Sequence, residues 1–250
     1  MLRVILSLVV LSLWATSASA FDISNMSDED RAIFRAEIRD YLLENPEVLM
    51  EAIAVLEERR AAEEANNDLA MLDRHQDAIF EDGFSYIGGN PDGDVTVVEF
   101  LDYRCGYCKR AFPAVEELLA TDGNIRLIVK EFPILGDQSM LASKYAIAAK
   151  MVAGDAAYKS IHDIFMTHNG AVNEGFLART SRNLGLNHGA ISVKMDSAEV
   201  ADVIDSNRAL AQALKIQGTP SFIMGENFVR GFVELDQMRA IVEGIRAEQG

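Results

Sequence analysis

Residues 95 to 131 constrain this 250-residue chain more than any other stretch. Val95-Thr96-Val97-Val98-Glu99-Phe100-Leu101 is β-branched and apolar on both faces, as a strand buried in the middle of a sheet must be. It runs through Cys105-Gly106-Tyr107-Cys108 into a helical pattern from Lys109 to about Ala120, and Ile125 to Phe132 then reads as a second strand. Strand, helix and strand in that order predict an α/β unit with a parallel pair of strands, and the two cysteines fall at its first turn.

The helix start makes that turn chemically special. Unpaired backbone N–H groups and the positive end of the helix dipole favour a thiolate at the first cysteine, so Cys105 is the expected nucleophile. Cys108, one turn further in, is placed to attack a mixed disulfide formed on Cys105. Stapling does not explain the pair, because a disulfide between residues three apart closes almost no loop. Zinc is the competing use of such a pair. The other ligands would have to come from His75, His162, His168 and His188, which are scattered singly. Arg104, Lys109 and Arg110 around the cysteines also favour a thiolate over a metal cation, so neither a metal nor a cofactor is expected.

Two features outside the turn join the candidate site. Glu99 sits inside an apolar strand, where burying an acid is costly. It reads as a proton acceptor for Cys108, with a carboxylate that escapes to an edge as the alternative. Gly218-Thr219-Pro220 stands directly before a strand pattern at Ser221 to Met224, and proline is tolerated at a strand entry.

Around this unit the chain reads as follows. Met1 to Ala20 has one positive charge, an apolar run from Val4 to Trp14 and a small-x-small site at Ala18-Ser19-Ala20, the layout of a secretory signal peptide cleaved after about Ala20. An uncleaved anchor is the other reading. Residues 21–82 are helical in pattern: Ser27 caps a first helix, Asn45-Pro46 separates it from a second, and apolar residues cluster at the two ends of that second helix around a polar middle. This predicts a stalk that carries an oligomerising element, against two ordinary helices that break near Asn66-Asn67. From about 137 to 216 the pattern is helical, with breaks expected at Gly154, Gly170, Gly185 and Gly189. A hairpin turning at Gly225-Glu226-Asn227 and a helix over about 235–245 close the chain. Met140, Met151 and Met238 fall at core spacing. The formal net charge of −16 lacks the basic footprint of a nucleic-acid binder.

These features together resemble the DsbA-like branch of the thioredoxin fold over about residues 84 to 248, which makes residues 83–250 a thioredoxin domain with a helical insertion at about 137–216. The resemblance implies a cis peptide before Pro220, which would face the cysteines, and backbone hydrogen bonds from Thr219 to an extended substrate. The DsbA oxidase has Pro-His between its cysteines where this chain has Gly106-Tyr107, which puts strong oxidase character in doubt. Gly-Tyr followed by Thr before the proline is similar to DsbC-type isomerases. The N-terminal helices resemble those of the suppressor-of-copper-sensitivity (ScsC) proteins, some of which are oligomeric isomerases. The function implied is a periplasmic protein disulfide isomerase or reductase. Its partners would be proteins with cysteines or non-native disulfides and a membrane-bound reductase, and it would act as a homo-oligomer, with a trimer favoured. A dithiol oxidase and a copper- or client-binding protein are the alternatives.

Overall fold

The computed structural model describes residues 26–249. The signal peptide expected at residues 1–20 lies outside the described residues. The chain divides into two compact units, Met1–Ala61 and Ala62–Gly250.

The first unit holds α1 (Asp28–Glu44) and the start of α2 (Glu47–Phe80). Ser27 caps α1 by accepting the Asp30 N–H at 3.1 Å, and Asp28, Glu29 and Asp30 place negative charge where the helix dipole is positive. Asn45 ends it and its N–H returns to the Tyr41 carbonyl at 2.8 Å, because the following Pro46 disfavours further helix. No described residue of α1 is buried within the single chain.

In the second unit, the strands are β1 (Tyr86–Gly89), β2 (Val95–Leu101), β3 (Ile125–Glu131), β4 (Ser221–Met224) and β5 (Asn227–Arg230). They form one sheet in the order β1-β3-β2-β4-β5. The β2–β3 pair is parallel and the other pairs are antiparallel. The expected central strand is therefore β2, covered on both edges, and α3 (Gly106–Asp122) crosses over from it to β3. Gly123, at φ 73°, closes α3 in the left-handed conformation that glycine adopts without cost.

Side chains alternate across the sheet and feed two apolar clusters. Val95, Val97 and Leu101 of β2 and Leu127 and Val129 of β3 face the cluster that contains both cysteines, α3 and the last helix, α9 (Leu235–Gln249). Val98, Phe100 and Ile128 face the other cluster, built with Met71, Leu72 and Ile79 of α2. So α2 from about residue 68 onward belongs to the sheet domain rather than to a free stalk. It is tied there by the paired Asp68 and Arg230 side chains, at 2.8 and 2.9 Å. The helix runs through Asn66-Asn67 without a break, and the residue that leaves helical geometry is His75, at φ −113°.

The insertion is helical as expected: α4 (Asp137–Ala153), α5 (Asp155–Thr167), α6 (Glu174–Leu184), α7 (His188–Met195) and α8 (Ala198–Ala213). Gly154 and Gly185 are helix breaks at positive φ, whereas Gly189 lies inside α7, since Asn187 caps that helix by accepting the Ala190 N–H. The hairpin turns on Gly225-Glu226 alone, with Met224 paired to Asn227. Its second strand stops at Gly231, whose φ of 101° turns the chain and lets its N–H reach the Pro220 carbonyl at 3.0 Å. Of the three methionines read as core, Met238 is buried and Met140 packs against the main cluster, but Met151 lies exposed on the surface.

Candidate active site

Cys105 is the N-cap of α3, and its backbone is extended while the next residues are helical. No side chain caps this helix start, so the first N–H groups of α3 remain available to the sulfur. In its thiol form Cys105 Sγ donates to the Thr219 carbonyl at 3.1 Å, across 114 residues of sequence. Hydrogen bonding holds the ionised sulfur, chiefly from the Cys108 thiol and further from the Thr219 side chain and the N–H groups of Cys108 and Tyr107. It pulls the Cys105 pKa down to about 5 against the opposing effect of burial. Cys108 is fully buried, and burial pushes its thiol far above the ordinary range, reinforced by Cys105 and Glu99. The two cysteines are thus opposite in character: one is a thiolate near neutral pH, the other a protonated thiol.

The sequence also placed Thr219, Pro220 and Glu99 here. The Thr219–Pro220 peptide is cis, and the Thr219 carbonyl lies 3.1 Å from Cys105 Sγ. Glu99 is 2% exposed, and its place in β2 turns it to the cysteine face of the sheet. Its Oε1 has no hydrogen-bond partner among the described residues. Burial raises its pKa to about 8, with the charges of Glu116, Glu131 and Cys105 adding to the effect. Glu99 is therefore in the site's electrostatic field, with one oxygen free to take a proton.

The cations act differently from the expectation. Lys109 Nζ donates to the His168 carbonyl, Arg104 donates to the Gly170 carbonyl at 3.1 Å, and Arg110 pairs with Glu234 at 2.7 Å while covering the Phe232 ring at 4.4 Å. They fasten the segment after α5 and the segment after β5 around the cysteines. The thiolate rests on hydrogen bonds and the helix start instead. Tyr107 stands 61% exposed beside this ledge, its ring 6.4 Å from that of Phe232.

Sequence reasoning passed over Asp102. It is fully buried, and its carboxylate accepts the Arg104 N–H at 2.7 Å, the Ile134 N–H at 2.8 Å and the Leu135 N–H at 3.0 Å. Its carbonyl takes the Cys105 N–H at 3.0 Å. It thereby knots the cysteine turn to the segment after β3. An acid directly following an apolar strand was the available signal, the same one that singled out Glu99.

Comparison with known proteins agrees with this geometry. Residues 81–244 match the thioredoxin family model, and residues 30–63 match the model described as the copper resistance protein ScsC N-terminal domain. A thioredoxin-like oxidoreductase from Silicibacter pomeroyi DSS-3 is 40% identical, covering 70% of this chain and 98% of that one, with a TM-score of 0.64. ScsC of Proteus mirabilis in a transitional conformation is 27% identical, covering 89% of this chain and all of that one, with a TM-score of 0.65. Among curated proteins, the Na(+)/H(+) antiporter NhaA 1 of Salinispora arenicola is 28% identical over 161 residues, 63% of this chain. The chain spans only 24% of that relative's length, so the likeness concerns one part of the antiporter. With its central strand, cysteine turn and crossover helix in the matched region, the chain belongs to the thioredoxin family, where the proteins it is similar to include ScsC and other thioredoxin-like oxidoreductases.

Proposed function

We propose that this protein exchanges disulfides in other proteins through Cys105 and Cys108, and that it does so as an isomerase or reductase. The observation that carries the reading is the contrast between the two thiols. Cys105 is ionised near neutral pH at a helix start, and Cys108 is held protonated beneath it. The Cys105 thiolate attacks one sulfur of a substrate disulfide, the S–S bond breaks, and the other substrate sulfur leaves as a thiolate. If that thiolate attacks a second substrate disulfide, shuffling follows and a substrate thiolate finally displaces Cys105. If Cys108 attacks instead, the mixed disulfide breaks, the Cys105–Cys108 disulfide forms, and the substrate departs with two reduced sulfurs. The Cys108 proton passes to Glu99 in this scheme, and a base with a pKa near 8 suits that transfer better than an ordinary carboxylate. Thr219 and Pro220 line the substrate's path, with the Thr219 carbonyl freed for a substrate N–H once Cys105 has lost its proton.

Shuffling requires reduced Cys105, so the scheme includes a membrane-bound dithiol reductase that returns two electrons to the pair. The match to the ScsC N-terminal model supports export to the periplasm and a role in copper tolerance; removal of a leader after about Ala20 rests on the small-x-small pattern Ala18-Ser19-Ala20. Among the described residues no helix is long and apolar enough to cross a membrane. The helices before residue 62 assemble copies of the chain in this reading, a trimer being favoured. Exposed Ile33, Ile38, Tyr41, Leu49 and Ile53 are the apolar side chains for that contact. The domain plan that follows is a leader at 1–20, an assembling helical region up to about residue 61 and, in place of the boundary expected at 82, a catalytic domain from Ala62 onward, because Met71, Leu72 and Ile79 pack in its core.

Recovery of activity from a scrambled multi-disulfide protein tests the reading. The full chain restores activity, and Cys105→Ser abolishes it. A full chain that only oxidises thiols would make the protein a dithiol oxidase. Stoichiometric retention of Cu(I) by the reduced protein with no exchange activity would favour a copper-binding role.

A further inference from the structure

A second acid lies buried on the cysteine face of the sheet, and the exchange scheme does not use it. Glu131 ends β3, pairs in register with Leu101 and is 3% exposed. Three hydroxyls donate to its carboxylate: Tyr103 at 2.7 Å and Tyr158 at 2.6 Å on Oε1, and Ser143 at 2.7 Å on Oε2. An acid removed from water without a cation is costly, and replacing it by a neutral residue of similar shape often is not. Core packing alone therefore does not account for it.

The donors come from three separate elements. Ser143 belongs to α4, Tyr158 to α5, and Tyr103 to the cysteine turn, two residues before Cys105. Tyr103 is 1% exposed, its hydroxyl also meets His162 Nδ1 at 3.1 Å, and its ring packs edge-on against Phe165 and His162. On either side of it, Asp102 and Arg104 are joined by the carboxylate hydrogen bond described above. The turn thus has two buried anchors: Asp102 holds its backbone to the segment after β3, and Tyr103 holds it to Glu131 and the helical insertion.

We propose that Glu131 is a positioning residue for the dithiol: through Tyr103 it fixes the turn that carries Cys105, keeping the sulfur against the groups that hold its thiolate. This rests on Cys105 being the exchanging thiol. The titratable groups facing Glu131 are Tyr103 from the turn, Tyr158 and His162 from α5, Asp102 at the end of β2 and Glu99 within β2. His162 is kept neutral by burial, with its pKa pushed down to about 3, so no cation from this set neutralises the acid.

The test uses the reduced full-length chain and its Tyr103→Phe, Glu131→Gln and double variants. The rate of Cys105 alkylation by iodoacetamide is followed from pH 4 to 9, alongside the second-order rate with a small aromatic disulfide and the melting temperature. Buried, protonated Cys108 contributes little to either rate. Each single variant raises the alkylation midpoint by roughly half a unit. Each also slows disulfide exchange about tenfold, as a loosened reacting group does. The double variant is no worse than the worse single, because both act on the same hydrogen bond, Tyr103→Phe by removing its donor and Glu131→Gln by neutralising its acceptor. A lowered melting temperature with an unmoved midpoint, or additive effects in the double variant, overturns the proposal. Should Glu131→Gln fail to fold, Tyr103→Phe decides alone, since it removes one oxygen and leaves the ring packed. The alkylation midpoint judges Glu131 even if the wild type exchanges no protein disulfide, an outcome that would sink the functional reading instead.

Discussion

At the scale of single residues, the chemistry comes from how unequally the environment treats similar groups. Cys105 and Cys108 are three positions apart, yet one sulfur meets the helix start and Thr219 while the other is sealed in the core. Cys105→Ser is expected to end disulfide exchange, and Cys108→Ser to accumulate mixed disulfides with substrates, visible as adducts on non-reducing gels that disappear with dithiothreitol. Glu99 gives a prediction with a definite sign. Its folded pKa of about 8 lies above the ordinary carboxylate value, so the folded state holds the proton more tightly than the unfolded chain. The resulting penalty is absent at low pH, grows as pH rises past the unfolded value, and is complete above about 8. Glu99→Gln should match the wild type in melting temperature near pH 4.5 and exceed it by several degrees at pH 8.5, where even ~2 kcal/mol moves the midpoint by about 5 °C. The same variant should resolve mixed disulfides more slowly, and should lack the rise in rate expected of the wild type as pH passes through about 8.

At the scale of elements, short turns are held by single buried acids. Buried Asp102 accepts three backbone N–H groups from two separate segments. Asp102→Asn turns an amide donor toward one of them, and is expected to cost about 2 kcal/mol in chemical denaturation. The end of α2 gives the next test. Arg230 grips Asp68 through its two terminal nitrogens, with Glu64 at 3.6 Å. Arg230 is partly exposed and the pair is screened, so Arg230→Ala should lower global stability by only about 1 kcal/mol. Hydrogen exchange in residues 62–74 should nevertheless speed up markedly, because that stretch loses its side-chain tie to β5. The strand, turn and helix around the cysteines were legible in advance, since β-branching, alternation and helix capping act over a few residues. His75 as the irregular point of α2 was not legible: Asn66-Asn67 carries the stronger local signal, but neighbouring turns of the helix and the packing of Met71, Leu72 and Ile79 outweigh it.

At the scale of the whole molecule, the division at Ala61 and Ala62 sets where the chain can be cut. A truncation beginning at Asp82 would remove Met71, Leu72 and Ile79 from the core and confuse lost assembly with lost folding. One beginning at Ala62 keeps them. It is expected to melt cooperatively and sediment as a monomer, to retain thiol-disulfide exchange with small disulfides, and to lose most of its ability to repair a scrambled protein. The full chain should sediment as an oligomer. A full chain that sediments as a monomer would remove the assembly argument, leaving shuffling over oxidation to rest on Gly106-Tyr107 and Thr219 alone.

The sequence by itself determined a thiol pair at a strand-to-helix turn, an acid in the neighbouring strand, a proline at the entry to another strand and a helical insertion between them. Each follows from short-range physics: steric preference, alternation, capping and the cost of burying charge. Only the tertiary structure decided that Thr219 meets Cys105 from 114 residues away, that Lys109 and Arg104 serve carbonyls instead of the thiolate, and that Tyr103 reaches Glu131. Those contacts join segments with no common period or spacing. They form when the sheet and insertion close around the turn, and no local preference encodes which distant partner a side chain will meet there.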